Sequence, residues 1–193
     1  MKKLSAKVGA IAPSATIEIS DRAGRMQAQG IDVIALSIGE PDFDTPAHIT
    51  EACIDALRRG ETHYAPSPGI PALRQAIAEK LKAENGIPCT ASQVVVGCGA
   101  KSSVYETCEA VLNPGDEVIL MDPSWVSYEP CVQLAGAGAV HYMVREEDFQ
   151  PDDRLLEAVT NKSKMIILNS PSNPSGAVMT KASLGLVKDI AED

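Results

Sequence analysis

From residue 93 onward the chain alternates short apolar runs with stretches of helical length, and this alternation constrains the fold more than any other feature. The runs at residues 93–96, 117–120, 139–143 and 165–168 are nearly continuous rather than polar at every second position, as expected of strands buried on both faces. Between them, residues 100–112, 125–134 and 152–159 read as helices, and a last helix starts at about Lys181. Such intervening helices supply the crossovers that parallel pairing requires. The predicted class is α/β with a largely parallel sheet and flanking helices.

The upstream half reads differently. Residues 14–30 form a predicted helix with Ser14 as N-cap and Gly30 at its end, followed by a short strand at 33–36. Helices are predicted at 46–59 and 70–85, separated by Tyr64-Ala65-Pro66-Ser67-Pro68-Gly69, which no helix or central strand can absorb. That linker is predicted to be a loop of fixed shape.

Composition excludes several classes of function. No apolar run approaches the ~20 residues that span a bilayer, and Lys7 and Pro13 interrupt the place where a secretory leader needs its apolar segment. The five cysteines are widely spaced without a C-x-x-C pair, and the three histidines are scattered, so neither a disulfide framework nor a metal site is expected. Reduced thiols in a cytoplasmic protein are the expectation. A net charge of −9 repels nucleic acid and anionic membranes. Any anionic ligand must be held by a local cluster of donors.

In an open parallel sheet, ligands collect beyond the carboxyl ends of the strands, and three loops there are chemically unusual. In Gly97-Cys98-Gly99-Ala100-Lys101-Ser102, small residues open a helix whose N–H groups and dipole attract a phosphate. A Walker A loop fails at Ala100 and Val95, and the dinucleotide fingerprint fails at Ser102. The second loop, Asp122-Pro123-Ser124-Trp125, holds the single tryptophan, a ring able to stack on a planar ligand or to anchor a core. In the third, Ser170-Pro171-Ser172-Asn173-Pro174-Ser175-Gly176, proline fixes the backbone beside an amide side chain. Each has a plain structural reading: a glycine turn, a core tryptophan, an ordinary Asn-Pro turn. At three successive strand ends they compose a site for a phosphorylated planar heterocycle such as pyridoxal phosphate.

Longer motifs then carry a family likeness. Ser37-Ile38-Gly39-Glu40-Pro41-Asp42-Phe43-Asp44-Thr45-Pro46, Tyr64-Ala65-Pro66 with Gly69-Ile70-Pro71-Ala72-Leu73-Arg74, Asn113-Pro114-Gly115-Asp116-Glu117-Val118, Trp125-Val126-Ser127-Tyr128 and Asn169 to Ala177 together resemble class I aminotransferases of the bacterial aspartate aminotransferase branch. The resemblance implies a fold-type-I, pyridoxal-phosphate-dependent enzyme. It would work as a homodimer, moving an amino group between an amino acid and a 2-oxo acid. Residues 1–45 would be an N-terminal arm and small-domain segment, and 46–193 an incomplete cofactor-binding large domain.

By the same resemblance, Gly99, Ala100 and Lys101 match the phosphate-binding turn, Trp125 the ring-stacking aromatic, and Asn173 the donor to the cofactor's phenolate oxygen. Gly39 matches a backbone contact to the substrate α-carboxylate, and Tyr64 a tyrosine reaching the phosphate of the neighbouring subunit. Ser14 and Lys101 match positions that hold a distal carboxylate. Trp125 and Asn173 also face substrate in the family. Aspartate and glutamate are thus the expected substrates, with a prephenate-type or broader specificity as the alternative. The Schiff-base lysine, the Asp that pairs with the ring nitrogen, a nearby Tyr and the α-carboxylate Arg are implied to lie after residue 193. No catalytic residue is therefore assigned within the chain, which alone is expected to be inactive or to act as a cofactor-binding or dimerising fragment.

Overall fold

The computed structural model describes residues 4–192. The chain divides into two units, one formed by residues 4–12 with 99–192 and the other by residues 13–98. Among the described residues no helix is long and apolar enough to cross a membrane.

The first unit is built on three parallel strands, β1 (Glu117–Asp122), β2 (Gly138–Met143) and β3 (Ser163–Ile167), in the order β2-β1-β3. Central β1 pairs along its whole length with β2, Glu117 opposite Gly138 through Asp122 opposite Met143. Against β3 the ladder is irregular between Glu117 and Val118, and Glu117 N–H donates instead to Lys162 O at 2.8 Å. Val118, Ile119 and Leu120 have no more than 1% of their surface exposed.

Successive side chains of a strand point to opposite faces, so β1 feeds two cores. Val118 and Leu120 pack with Cys108 and Leu112 of α5 (Ala100–Val111 and its cap) and with Cys131 and Val132 of α6 (Tyr128–Leu134). Ile119 packs on the other side with Tyr142, Val144, Leu155 and with Val187 of α7 (Lys181–Glu192). Continuous apolar character along β1 thus has the cause assigned to it from the sequence. A short N-terminal helix, α1 (Ala6–Ala10), joins this unit through Lys7, whose ammonium donates to Leu134 O at 2.9 Å.

Two polar arrangements brace the far core. Gln150 is buried with all its polar capacity used: its amide N–H groups donate to Asp148 O and Val178 O, both at 3.2 Å. Its Oε1 accepts from Thr180 N–H at 2.9 Å and from Ser183 Oγ at 2.7 Å. Asp152 accepts from Arg154 Nε, from Arg154 N–H and from the Tyr142 hydroxyl, and the Arg154 guanidinium is the main reason its carboxyl falls from 3.8 to about 2.

In the second unit α2 (Ala15–Ala28), α3 (Ala47–Arg58) and α4 (Pro71–Asn85) occupy the expected places, with Ser14 at the N-cap position of α2. Two predicted strands do not form. Residues 33–36 are irregular and Ile34 and Leu36 are exposed, with Val33 O taken by the Gln27 side chain rather than by a ladder. The run at 93–96 begins as a 3-10 turn, Ala91–Gln93, because Thr90 and Gln93 close a capping box. Two of its other groups are taken from outside the run, Val96 N–H by Pro68 O at 3.0 Å and Val94 O by Arg74 Nε at 2.7 Å, and Val95 is exposed. Those two groups therefore need no ladder partner. Residues 152–159, predicted as an α-helix, form a 3-10 segment, Asp153–Ala158, opened by Asp152.

The loop at 64–69 is held against this run. Gly69 has φ +106°, and a Cβ there would lie 2.8 Å from Val96 Cγ2, so no other residue fits without displacing Val96.

Two stability measurements check these assignments. Ile119→Ala is expected to lower the unfolding free energy by about 2–5 kcal/mol in urea titrations, because it empties a fully enclosed site. Asp152 is depressed in the folded state, so its contribution is complete above about pH 4 and lost as pH falls toward 2. Asp152→Asn should therefore remove part of the loss of stability on acidification, read from urea midpoints between pH 2 and 6.

Candidate functional site

The candidate site lies at the carboxyl end of β1 and β3 in the first unit. Helix α5 packs on the sheet and returns to β1 through the tight turn Asn113-Pro114-Gly115-Asp116, where Asp116 Oδ2 accepts from Asn113 N–H at 2.8 Å. Because α5 runs opposite to β1, its start stands at the end where β1 finishes.

Gly99 is the N-cap of α5 with φ +83° and ψ 166°, a region open essentially to glycine alone. No side chain caps this helix, so the N–H groups of its first turn face outward, with the positive end of the dipole behind them. Ala100 and Lys101 follow, both exposed. The Lys101 ammonium sits 5.5 Å from the centroid of the Trp125 ring, a cation–π distance.

Trp125 is half-buried and held edge-on by Tyr128, with centroids 5.4 Å apart and planes at 88°. Tyr128 in turn packs on the core beneath α5 and α6, and burial raises its phenol above the ordinary value. Burial likewise raises the Cys131 thiol, with the Lys101 ammonium acting in the opposite direction. The helix predicted from Trp125 starts three residues later, at Tyr128, leaving Trp125 on a loop.

Beyond β3 the chain forms a compact loop. Gly176 N–H donates to Ser172 O at 2.8 Å, Ser172 N–H to Ala177 O at 2.9 Å, and Met179 N–H to Ser170 Oγ at 3.0 Å. The peptides preceding Pro123, Pro171 and Pro174 are cis. Asn169, oriented to satisfy both ends of its amide, accepts from Asn173 N–H at 2.9 Å and donates to Pro171 O at 3.3 Å. Asn173 is exposed, and together with Asn169, Ser124, Tyr128, Phe149 and Ile167 it lines an open depression of about 450 Å³.

Gly99, Ala100, Lys101, Trp125 and Asn173 thus belong to one end of one unit. Ser14, Gly39 and Tyr64 belong to the second. Ser14 precedes α2 without making a side-chain cap, Gly39 is exposed in an irregular segment, and the Tyr64 side chain is fully exposed. Three residues escaped the sequence reading. Asn169, the first polar residue after the β3 run, was visible as a strand end but not as the holder of Asn173. Phe149 lines the depression from a backbone with φ +55°, which nothing in its neighbours announces. His141 bonds Asp122 at 2.6 Å, a pairing across strands that local pattern does not encode.

The donor set suits a phosphorylated planar ring. Outward N–H groups and an ammonium match a phosphate, a half-buried indole matches a ring face, and an exposed amide matches a ring oxygen. Among the described residues no group of His, Cys, Asp and Glu could hold a metal ion.

Comparison with known proteins gives the family. The sequence model described as "Aminotransferase class I and II" matches residues 31–193. The aspartate/prephenate aminotransferase of Thermus thermophilus is 45% identical over 193 residues, covering 99% of this chain and 50% of that protein. The aspartate aminotransferase of Bacillus sp. strain YM-2 is 45% identical over 194 residues, again covering 99% of this chain and 50% of the relative. The structure of the Thermus thermophilus aspartate aminotransferase with maleate superimposes with a TM-score of 0.96 at 44% identity, over 100% of this chain and 51% of that one. The chain spans about half the length of the relatives it matches.

The conformation of Gly99 gives a test. Gly99→Ala is expected to cost roughly 1–3 kcal/mol of stability, measured by urea unfolding, although a Cβ there meets no atom within 4 Å. An unchanged midpoint would show that the start of α5 does not require this backbone.

Proposed function

The chain belongs to the aminotransferase class I and II family, and from that premise we propose that the whole protein transfers an amino group between an amino acid and a 2-oxo acid with pyridoxal phosphate. The single observation that supports this reading is that Lys101 lies over Trp125 on the loop after β1, while Asn173 lines the depression reached by Ser124 and Tyr128 on either side of that tryptophan.

In this reading the first-turn N–H groups of α5 and the Lys101 ammonium bind the phosphate. Trp125 covers one face of the ring, its own tilt set by Tyr128. Asn173 donates to the ring's phenolate oxygen, stabilising the charged form. Bound there, the cofactor supplies the electron sink for carbanion chemistry at the substrate's Cα. Gly39 would contact the substrate α-carboxylate through its backbone, Tyr64 the phosphate of a neighbouring subunit, and Ser14 with Lys101 a distal carboxylate. Those assignments, the homodimer, a cytoplasmic location and the division at residue 45 are parts of the same proposal.

Aspartate and glutamate are the proposed amino donors, supported by the names of the relatives and by the maleate, a dicarboxylate, in one of them. Prephenate-type substrates are the second reading, supported by the name of the Thermus relative. The lysine that carries the cofactor is proposed to follow residue 193, so residues 1–193 alone would bind without turnover.

Asn173→Ala should weaken pyridoxal phosphate binding by roughly 10- to 100-fold, the loss expected for one hydrogen bond to a charged oxygen, measured by equilibrium dialysis. The whole protein should transfer the amino group of aspartate to 2-oxoglutarate in a coupled assay. Equal affinity in both chains, or turnover by residues 1–193 alone, would overturn the corresponding part.

A further inference from the structure

Five residues, 123–127, connect the end of β1 to the start of α6 and present Trp125. One imidazole stands between the two ends of that connection. At the entry, His141 Nδ1 lies 2.6 Å from Asp122 Oδ2. The other oxygen of that carboxylate accepts from Ser124 Oγ, also at 2.6 Å. At the exit, His141 Nε2 lies 3.8 Å from Glu129 Oε2 in the first turn of α6. Glu129 is steadied from its own helix, where its Oε1 accepts from Gln133 Nε2 at 2.8 Å.

The chemistry of the ring suits this place. An Nδ1–H donates to Asp122 in either charge state of the imidazole, leaving Nε2 toward Glu129. Asp122 is then an acceptor on both oxygens, one bond running to the strand and one to the loop. Ser124, which immediately precedes Trp125, is hydrogen-bonded to Asp122, and Tyr128, which holds the indole edge-on, immediately precedes Glu129, so each support of the tryptophan is tied directly to a group that His141 engages. His141 itself sits on β2, opposite Leu120 of the fully buried part of β1, so its backbone is anchored by the sheet.

We propose that His141 is the positioning residue for Trp125, clasping the loop at residues 123–127 through Asp122 at its entry and Glu129 at its exit. The clasp rests on the aminotransferase reading only for why the place of Trp125 matters. Its existence is a separate question, and the test keeps the two apart.

Trp125 is the single tryptophan of the 193 residues, so tryptophan emission, excited beyond the absorption of the four tyrosines, reports this loop alone. In His141→Ala and in Asp122→Ala the emission maximum should move to the red and acrylamide quenching should rise, with far-UV circular dichroism unchanged. His141→Asn, whose amide can donate in place of Nδ1, should restore wild-type emission, which a role in packing alone would not produce. Unaltered emission in both alanine variants overturns the proposal, and so does His141→Asn behaving as His141→Ala. Should His141→Ala unfold, Ser124→Ala decides: a red shift supports the clasp and wild-type emission overturns it. A wild-type chain that fails to bind pyridoxal phosphate while these shifts are seen would sink the cofactor reading and leave the clasp standing.

Discussion

Burial of β1 between two parallel neighbours is the constraint on which the first unit depends. Val118, Ile119 and Leu120 are enclosed from both sides, and each of the two cores takes alternate residues of this one strand. A parallel strand cannot turn back on itself, so each crossover has to pass over a face. That requirement places α5 and α6 on one side and α7 on the other. It also sends every strand-to-helix loop to the same end, where Trp125 and Asn173 are carried. The place of the candidate site is thus a consequence of how the core is filled.

At that end the protein works against its own net charge of −9. An anion can be held only where donors are dense and acceptors are turned away, and the start of α5 provides this through backbone groups and one ammonium. The carboxylates flanking the Trp125 loop are already partnered: Asp122 by Ser124 and His141, Glu129 by Gln133. Pairing them locally lowers the repulsion an incoming phosphate would meet.

The three strands of the sheet were legible because continuous apolar runs flanked by helix-length segments admit few other arrangements. Of the candidate site, what was legible is placement: Trp125 and Asn173 fall on loops just past strand ends and Gly99 opens a helix. The strand predicted at 93–96 failed for a reason that was also written in the sequence: Thr90 and Gln93 have capping-box spacing, and a local cap competes for the backbone at its first residue. The run at 33–36 failed because apolar composition alone does not supply a ladder partner. What stayed hidden were pairings between distant residues, His141 with Asp122 and Gln150 with Thr180 and Ser183, since a side-chain hydrogen bond across 19, 30 or 33 positions leaves no periodic trace.

Gln150 gives one further consequence. Its amide grips Val178 O and Thr180 N–H, while Asn169 grips the loop at Asn173. The segment from 169 to 180 is therefore tied at its start to the end of β3 by the chain itself and at its far end to Gln150. It behaves as a ruler: variation there can exchange side chains freely at exposed positions such as Val178, but cannot add or remove a residue without unfastening one end. Across diverging sequences, length should be the inherited quantity in this stretch, and composition the negotiable one.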